Sequence, residues 1–344
     1  MECMVKLNLG EFSSELRSKL AEELKDAKML TLLSEDDDGQ VRCMVAKNSN
    51  TSKFCLANLA EDEDWNVRCA VARNHNASRA CLSKLAEDED LDVRCAVARN
   101  HNTSKADLTK LAEDEEWIIR DAVARNHNTL KSDLTRLAKD ESMWVRYSVA
   151  NNINTLSSDL KKLANDKDKD VRAAVGGNPN TPKSNLTKLS KDSAEDVRAS
   201  VAINPKTPKS VLAELANDYD EEVRDHVGGN KNASETDLLK LAEDEDIGVR
   251  YAVAGNSSTP QTTLTMLARD DFEDVRASVG GNPSTLKSDL AKLAEDKAWE
   301  VKTAVAGNPN TPESTLLKLS QDENEMIRNN AIKTLEALNS NKNE

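Results

Sequence analysis

Acidic and basic side chains recur along this chain in matched pairs, so they are the first residues to consider for chemistry. An Asp lies five residues before a recurring Val or Ile, and an Arg or Lys follows that residue directly, as in Asp62 with Arg68 and Asp88 with Arg94. A row of bases alone would suggest phosphate binding. Because every base is matched by an acid, and half-buried charges persist only when paired, the pattern favours a structural role.

The histidines and cysteines do not form groups typical of catalysis or metal binding. His75, His101 and His127 occupy one position of successive units, and stacked helices would separate them by about 8–10 Å. Metal ligands lie about 2 Å from a shared ion, so we predict no metal site. A disulfide needs Cα atoms within about 7 Å, so we also expect reduced thiols. The cysteines are Cys3, Cys43, Cys55, Cys69, Cys81 and Cys95.

No catalytic grouping of Ser, His and Asp or of Cys and His stands out from chance, and no strand precedes a glycine-rich phosphate loop. We therefore predict that the protein is not an enzyme and holds no cofactor. The informative side chains lie instead on one face of a predicted helix in the early units. Residues four apart in a helix stack above one another, and three such positions lie two before, two after and six after the recurring Val.

Later units carry small or polar residues at these three positions, for example Glu195, Asp225 and Gly229. Early units differ, and present in turn Trp65, Cys69, Arg73; Leu91, Cys95, Arg99; Trp117, Asp121, Arg125; and Met143, Tyr147, Asn151. A position that accepts Glu is expected to be exposed, so the large side chains predict an exposed apolar row. We name Trp65, Leu91, Trp117 and Met143 the apolar row, Arg73, Arg99 and Arg125 the arginine row, and His75, His101 and His127 the histidine row.

Together with Tyr147, these three rows predict a binding site. Four units' worth of exposed side chains reaches a few hundred Å², a scale at which a patch indicates binding, and Trp and Arg are favoured interface anchors. Arg also stands where later units have a helix-ending Gly, and a left-handed conformation there would cost each Arg up to about 1 kcal/mol. The alternative is recent tandem duplication with partial burial, since three units share the string Ala-Arg-Asn-His-Asn.

A repeat of 26 residues positions these side chains and runs without insertion or deletion. A period held this strictly indicates one two-helix unit stacked on copies of itself. We predict an all-α solenoid of twelve repeats over residues 25–336, an N-terminal capping helix within residues 1–24, and a polar tail at 337–344. We number the repeats by their recurring residue: Val41, Val67, Val93, Ile119, Val145, Val171, Val197, Val223, Val249, Val275, Val301 and Ile327.

Each repeat predicts a helix A of about ten residues followed by a helix B. In residues 181–206, Thr181 reads as the N-cap of helix A, with Pro182 in the first helical position. Helix B should face inward through its valines and end near Asn204. Because Gly and Asn tolerate the left-handed conformation, we expect that conformation at the end of helix B. The last helix B should run on to about Leu338.

Composition limits the classes of partner. The formal charge of −14 argues against a surface that embraces nucleic acid or an anionic membrane as a whole. The first residues lack a secretory signal and no apolar run reaches membrane-spanning length, so we expect a cytoplasmic protein without membrane contact.

The string L-x-x-L-A-x-D-x-x-x-x-V-R-x-x-V-A-x-N-P-x-T-P resembles the leucine-rich repeat variant family over residues 25–334. The resemblance implies a bacterial, HEAT-like αα-solenoid with a right-handed superhelix, an Asp–Arg ladder within and between units, and a binding role. Some members carry an iron–sulfur segment with clustered cysteines. Here only Cys3 precedes the repeats, so that cofactor is not predicted.

We therefore predict a cytoplasmic scaffold that binds a protein or peptide in the groove of repeats two to five. The main alternative is a nucleic-acid-binding HEAT-like protein, or a base-repair enzyme, that uses the arginine and histidine rows. Nucleic acid is the less favoured partner because of the acidic charge. A third possibility is a lyase-like chaperone for a bound pigment, for which the sequence offers no ligand.

Overall fold

The computed structural model of the protein describes residues 12–340, and all regular structure in that range is α-helical, as predicted. Between the first and last helices, a seven-residue helix A alternates with a nine-residue helix B. The helices are α1 (Ser14–Glu23), α2 (Ala27–Leu33), α3 (Gly39–Lys47), α4 (Lys53–Leu59), α5 (Trp65–Arg73), α6 (Arg79–Leu85), α7 (Leu91–Arg99), α8 (Lys105–Leu111), α9 (Trp117–Arg125), α10 (Lys131–Leu137), α11 (Met143–Asn151), α12 (Ser157–Leu163), α13 (Lys169–Gly177), α14 (Lys183–Leu189), α15 (Glu195–Ile203), α16 (Lys209–Leu215), α17 (Glu221–Gly229), α18 (Glu235–Leu241), α19 (Ile247–Gly255), α20 (Gln261–Leu267), α21 (Glu273–Gly281), α22 (Lys287–Leu293), α23 (Trp299–Gly307), α24 (Glu313–Leu319) and α25 (Glu325–Ser340).

The chain divides into two compact units, Met1–Leu163 and Ala164–Glu344. Within each unit every helix B packs closely against the helix B of the next repeat, and each helix A packs against the helices B beside it. In the first unit α1 packs against α3. In the second unit α25 continues to Ser340, two residues beyond the expected end.

The core is a thin layer of aliphatic side chains repeated from unit to unit. In the second repeat Val67, Val71 and Leu56 are fully buried, and Leu59 is nearly so. Val67 and Val71 lie four residues apart and therefore share the inner face of α5. This layer holds each helix B at a fixed rotation, which decides which of its side chains reach the surface.

Helix A begins later than predicted. In the seventh repeat Pro182 is the N-cap and the helix starts at Lys183, so Thr181 is not the cap. Thr181 is instead buried, and its hydroxyl donates to the carbonyl of Val175 at 2.5 Å. The threonine ties helix A to the end of the preceding helix B. The β-extended geometry of Pro182 leaves only seven residues for the helix.

The predicted left-handed conformation at the end of helix B is also wrong, because no described residue has a positive φ. Asn204 is extended, with φ −65° and ψ 124°. Its amide Nδ2 donates to the carbonyls of Gly176 and Asn178, at 2.6 and 3.0 Å, in the preceding repeat. A Cβ built at Gly177 would meet no atom within 4 Å. Arg at this position therefore carries no backbone penalty, contrary to the prediction.

The paired charges form the predicted ladder between repeats. Arg68 donates Nε and Nη2 to the two carboxylate oxygens of Asp88, at 2.7 and 2.9 Å, and Nη1 to the carbonyl of Asp62 at 2.9 Å. Burial opposes ionisation of Asp88, but the bonds from Arg68 and the N–H of Asp90 outweigh it and lower its pKa. Arg68 therefore meets the acid of the next repeat and a carbonyl of its own.

Candidate binding face

The apolar row lies at the first residue of four successive helices B. The exposed fractions of Trp65, Leu91 and Trp117 are 42, 41 and 40%. Their exposure agrees with the expectation drawn from the Glu residues of later repeats. Met143, at the start of α11, is half-buried, so the exposed part of the row spans three repeats.

The middle position of the predicted face is not exposed. Cys69, Cys95 and Asp121 are buried, and Tyr147 is half-buried. The reason is the close packing of neighbouring helices B: the Cys69 thiol Sγ lies 3.7 Å from the carbonyl oxygen of Asp92 in α7. The face is therefore two separate rows, about 12 Å apart along each helix at 1.5 Å per residue.

The arginine row forms the second of these rows, at the last turn of the helices. Arg73 and Arg99 are exposed, and no described carboxylate lies within 4 Å of either guanidinium. Arg125 differs because its Nε donates to Asp121 at 2.9 Å. Asp121 also accepts a hydrogen bond from the Ser148 hydroxyl at 2.5 Å. Two arginines are therefore free to bind a partner, and the third is partly held by its own helix.

The histidine row is exposed but serves the fold through its backbone. The carbonyls of His75 and His101 each accept the amide Nδ2 of an Asn in the next repeat, at 2.6 Å. The rings of all three histidines reach solvent. Within residues 12–340, no three His, Cys, Asp or Glu side chains group closely enough to hold a metal ion.

Trp144 belongs to this face, although the residue pattern did not select it. Its exposed fraction is 49%. In the sixth and seventh repeats, Lys169 Nζ contacts Asp196 Oδ2 at 2.5 Å. Lys169 lies two residues before the recurring Val of its repeat, and Asp196 lies one residue before the recurring Val of the next repeat. Trp117 and Trp144 occupy the corresponding positions in the fourth and fifth repeats. The periodicity of a single helix does not show this register, because it arises between helices.

The two ends of the early helices B carry opposite charge. The turn Glu61–Asp64 precedes α5, and the Glu63 side chain is 93% exposed. Asp64 caps the helix, since its Oδ1 accepts the N–H of Asn66 at 2.8 Å. The apolar row therefore lies next to carboxylates, and the arginine row lies at the far, cationic end.

The cysteines add no reactive group to this face. Cys43, Cys55, Cys69, Cys81 and Cys95 are free and buried, as expected for reduced thiols, and Cys3 lies outside the described residues. Burial raises the pKa of Cys81 to about 11. It raises the pKa of Cys55, Cys69 and Cys95 as well. Such thiols are poor nucleophiles at neutral pH.

Two segments of the chain, residues 65–90 and 299–324, match the family described as Leucine rich repeat variant. This match confirms the resemblance of the repeats to that family. A comparison with curated proteins finds no match. Within residues 12–340, no helix has both the length and the apolar character needed to cross a membrane.

The solved structures that are similar to the chain include the following three. One, described as a leucine-rich repeat variant with a novel repetitive protein structural motif, has 24% identity and a TM-score of 0.46 over 65% of this chain and 88% of its own. Yeast importin-beta (Kap95p) has 13% identity and a TM-score of 0.43 over 95% of this chain and 56% of its own. An engineered protein has 18% identity and a TM-score of 0.29 over 92% of this chain and 99% of its own.

Proposed function

We propose that this chain of leucine-rich-repeat-variant repeats is a non-enzymatic scaffold that binds a protein partner on the exposed face of repeats two to five. The observation that carries the proposal is the exposure of Trp65, Leu91 and Trp117 at one position of three consecutive repeats. Trp144 extends this surface, and Arg73 and Arg99 provide charged groups beyond it. Large aromatic side chains with nearby Arg are the usual anchors of protein interfaces.

The later repeats supply the contrast. At the position of the apolar row they carry Lys169, Glu195, Glu221 and Glu273. The exceptions are Ile247 in the ninth repeat and Trp299 in the eleventh, which are 36 and 46% exposed. They do not lie in consecutive repeats, and isolated exposed apolar residues are common on protein surfaces. Three in succession form a continuous patch, which is rarer and typical of a binding site.

Tandem duplication does not account for the apolar row by itself. A recent copy would keep the same residue, as it does in the string Ala-Arg-Asn-His-Asn. The apolar row instead reads Trp, Leu, Trp and Met. These side chains differ in shape while all remaining large and apolar, which favours a constraint on the surface over inheritance of a neutral residue.

A double charge substitution tests the face. In affinity capture with mass spectrometry, we expect Trp117→Glu with Arg99→Glu to lose the partner that the unchanged protein retains. The matched control is Trp299→Glu with Lys287→Glu, which changes the charge equally on exposed residues of the late repeats. All four positions are exposed, so helicity and melting temperature should stay unchanged in both variants.

Equal capture by the two variants would remove this face from consideration. Nucleic acid is the competing partner, and it is tested by the mobility shift of DNA or RNA at low salt, since binding to phosphates weakens steeply as salt rises. A shift that depends on Arg99 and falls with salt would indicate that the partner is nucleic acid and not protein.

A further inference from the structure

The loops that follow the early helices B are cationic in a chain of formal charge −14. Residues 73–80, 99–106 and 125–132 each contain two Arg or Lys, one His and no acid. In each segment the second base is the first residue of a helix A: Arg79, Lys105 or Lys131. All three are exposed, and no described carboxylate lies within 4 Å of them. We name these three segments the cationic edge.

Two adjacent segments of the cationic edge share a cleft of about 510 Å³. Lys105, His127 and Lys131 line it, together with uncharged residues such as Asn128 and Asn154, and no carboxylate does. Cationic side chains from neighbouring repeats therefore face one depression. Anionic groups of a partner would find several donors there without competition from an acid of the protein.

The later repeats lack this combination. At the positions of the arginine and histidine rows they carry residues such as Gly177, Pro179, Gly281 and Pro283. Exposed lysines remain at the start of some helices A, as at Lys183, and at two loop positions, Lys206 and Lys231, but no histidine accompanies them. The cationic edge is therefore a property of the first unit, where the apolar row is also found.

We propose that the partner of this face is an acidic amphipathic helix, which lies along the stack with apolar side chains on the apolar row and carboxylates on the cationic edge. This inference rests on the proposed function. A helix with its side chains is about 10–12 Å wide, which matches the roughly 12 Å between the apolar and arginine rows. Carboxylates seven residues apart would recur every ~10.5 Å, close to the ~8–10 Å between packed helices.

The charge distribution favours such a helix over nucleic acid. Bases stacked on Trp65 or Trp117 would carry their phosphates close to the acidic turns that precede these residues, such as Glu61–Asp64 and Glu113–Glu116. Like charges at that range repel. A helix places its charge on one side only, so its apolar side chains approach the turns while its carboxylates lie at the far end.

The test uses three fluorescein-labelled probes and anisotropy at 50 mM salt. The first is a 21-residue peptide with Leu at two positions of each heptad, Glu along one flank and Gln elsewhere. The second replaces each Glu by Lys, and the third is a 20-nucleotide oligothymidine. We expect the Glu peptide to bind at least tenfold more tightly than either of the others. Tighter binding of the Lys peptide or of oligothymidine would overturn the inference.

Matched charge reversals then locate the binding. Arg79→Glu with Lys105→Glu and Lys131→Glu should weaken binding of the Glu peptide at least tenfold. The control reverses Lys183, Lys209 and Lys287, which occupy the same position in later repeats and are also exposed. It should stay within twofold of the unchanged protein. Equal losses in the two variants would show that binding depends on the net charge of the protein and not on a specific site, and would overturn the inference.

The two proposals fail separately. If capture depends on Trp117 and Arg99 but the Glu peptide does not bind, the protein partner stands and its acidic helical character is wrong. If the Glu peptide binds through the cationic edge but capture ignores Trp117 and Arg99, the proposed partner face is wrong while the edge remains an acidic-peptide site, and the helix does not use the apolar row.

Discussion

Asn126 illustrates how single side chains join the repeats. It is 4% exposed, and its amide Nδ2 donates to the carbonyls of Ala98 and Asn100 at 2.7 and 3.2 Å. Its Oδ1 accepts the N–H of Asn128 at 2.9 Å. One side chain thus satisfies groups on two repeats at the point where helix B ends. An extended backbone with this amide replaces the left-handed turn that the Gly and Asn residues suggested.

We expect Asn126→Ala to lower stability by about 2–4 kcal/mol, because it leaves buried carbonyls and an N–H without partners. The control is Asn128→Ala, since Asn128 is exposed and its amide makes a single bond to the carbonyl of His101 at 2.6 Å. It should lose about 1 kcal/mol or less. Urea midpoints measure both, and equal shifts would show that Asn126 has no special role.

At the scale of the helix, the early helices B differ in whether a side chain caps their N-terminus. Asp64 and Asp90 cap α5 and α7 with their carboxylates. Glu116 occupies the same position before α9 and makes no side-chain cap hydrogen bond. Its extra methylene places the carboxylate beyond the N–H groups that a shorter side chain reaches. The helix that presents Trp117 therefore begins without a side-chain cap.

We expect Glu116→Asp to stabilise α9 by about 0.5–1 kcal/mol through the missing cap. Slower amide hydrogen exchange in the first turn of α9 would show the effect. Glu115→Asp, one residue earlier and exposed, keeps the charge and should change nothing. Equal protection in the two variants would mean that the cap position does not limit this helix.

The periodicity of the sequence predicts the helices, their valine core and the exposure of Trp65, Leu91 and Trp117, because all of these depend on one helix and its repeat. It does not predict the burial of Cys69 and Asp121 or the place of Trp144, because these depend on the register between neighbouring helices B. Helix A starts at Lys183 because the hydroxyl of Thr181 bonds to the preceding helix B. In the sequence, Thr181 before Pro182 is instead typical of a helix N-cap.

For the whole molecule, the ladder connects stability to pH. The Arg172 bonds lower the pKa of Asp192, and paired bases lower the pKa of Asp244, Asp270 and Asp296 in the same way. An Asp whose folded pKa is lowered stabilises the protein above its unfolded pKa of about 3.9, and this stability is lost as the pH falls through the folded value.

We therefore expect the melting temperature to fall as the pH drops from about 5 toward 3. Asp270→Asn removes one rung, so it should destabilise the protein at pH 7, and its difference from the unchanged protein should shrink in acid. Asp271→Asn, at an exposed neighbour, should behave like the unchanged protein throughout. A constant deficit of the Asp270 variant from pH 7 to 3 would contradict this linkage.

The first rung of the ladder has a consequence for how such a chain changes length. Arg17 of α1 donates Nε and Nη2 to Asp36 at 2.7 and 2.9 Å, and so gives the first repeat the bond that Arg42 gives to Asp62. Within each compact unit, the described rungs therefore repeat one bond from each repeat to the next. If 26 residues are gained or lost in frame within a run of such repeats, the new junction still pairs an Arg with an Asp. The number of repeats can therefore change without leaving a charge unpaired.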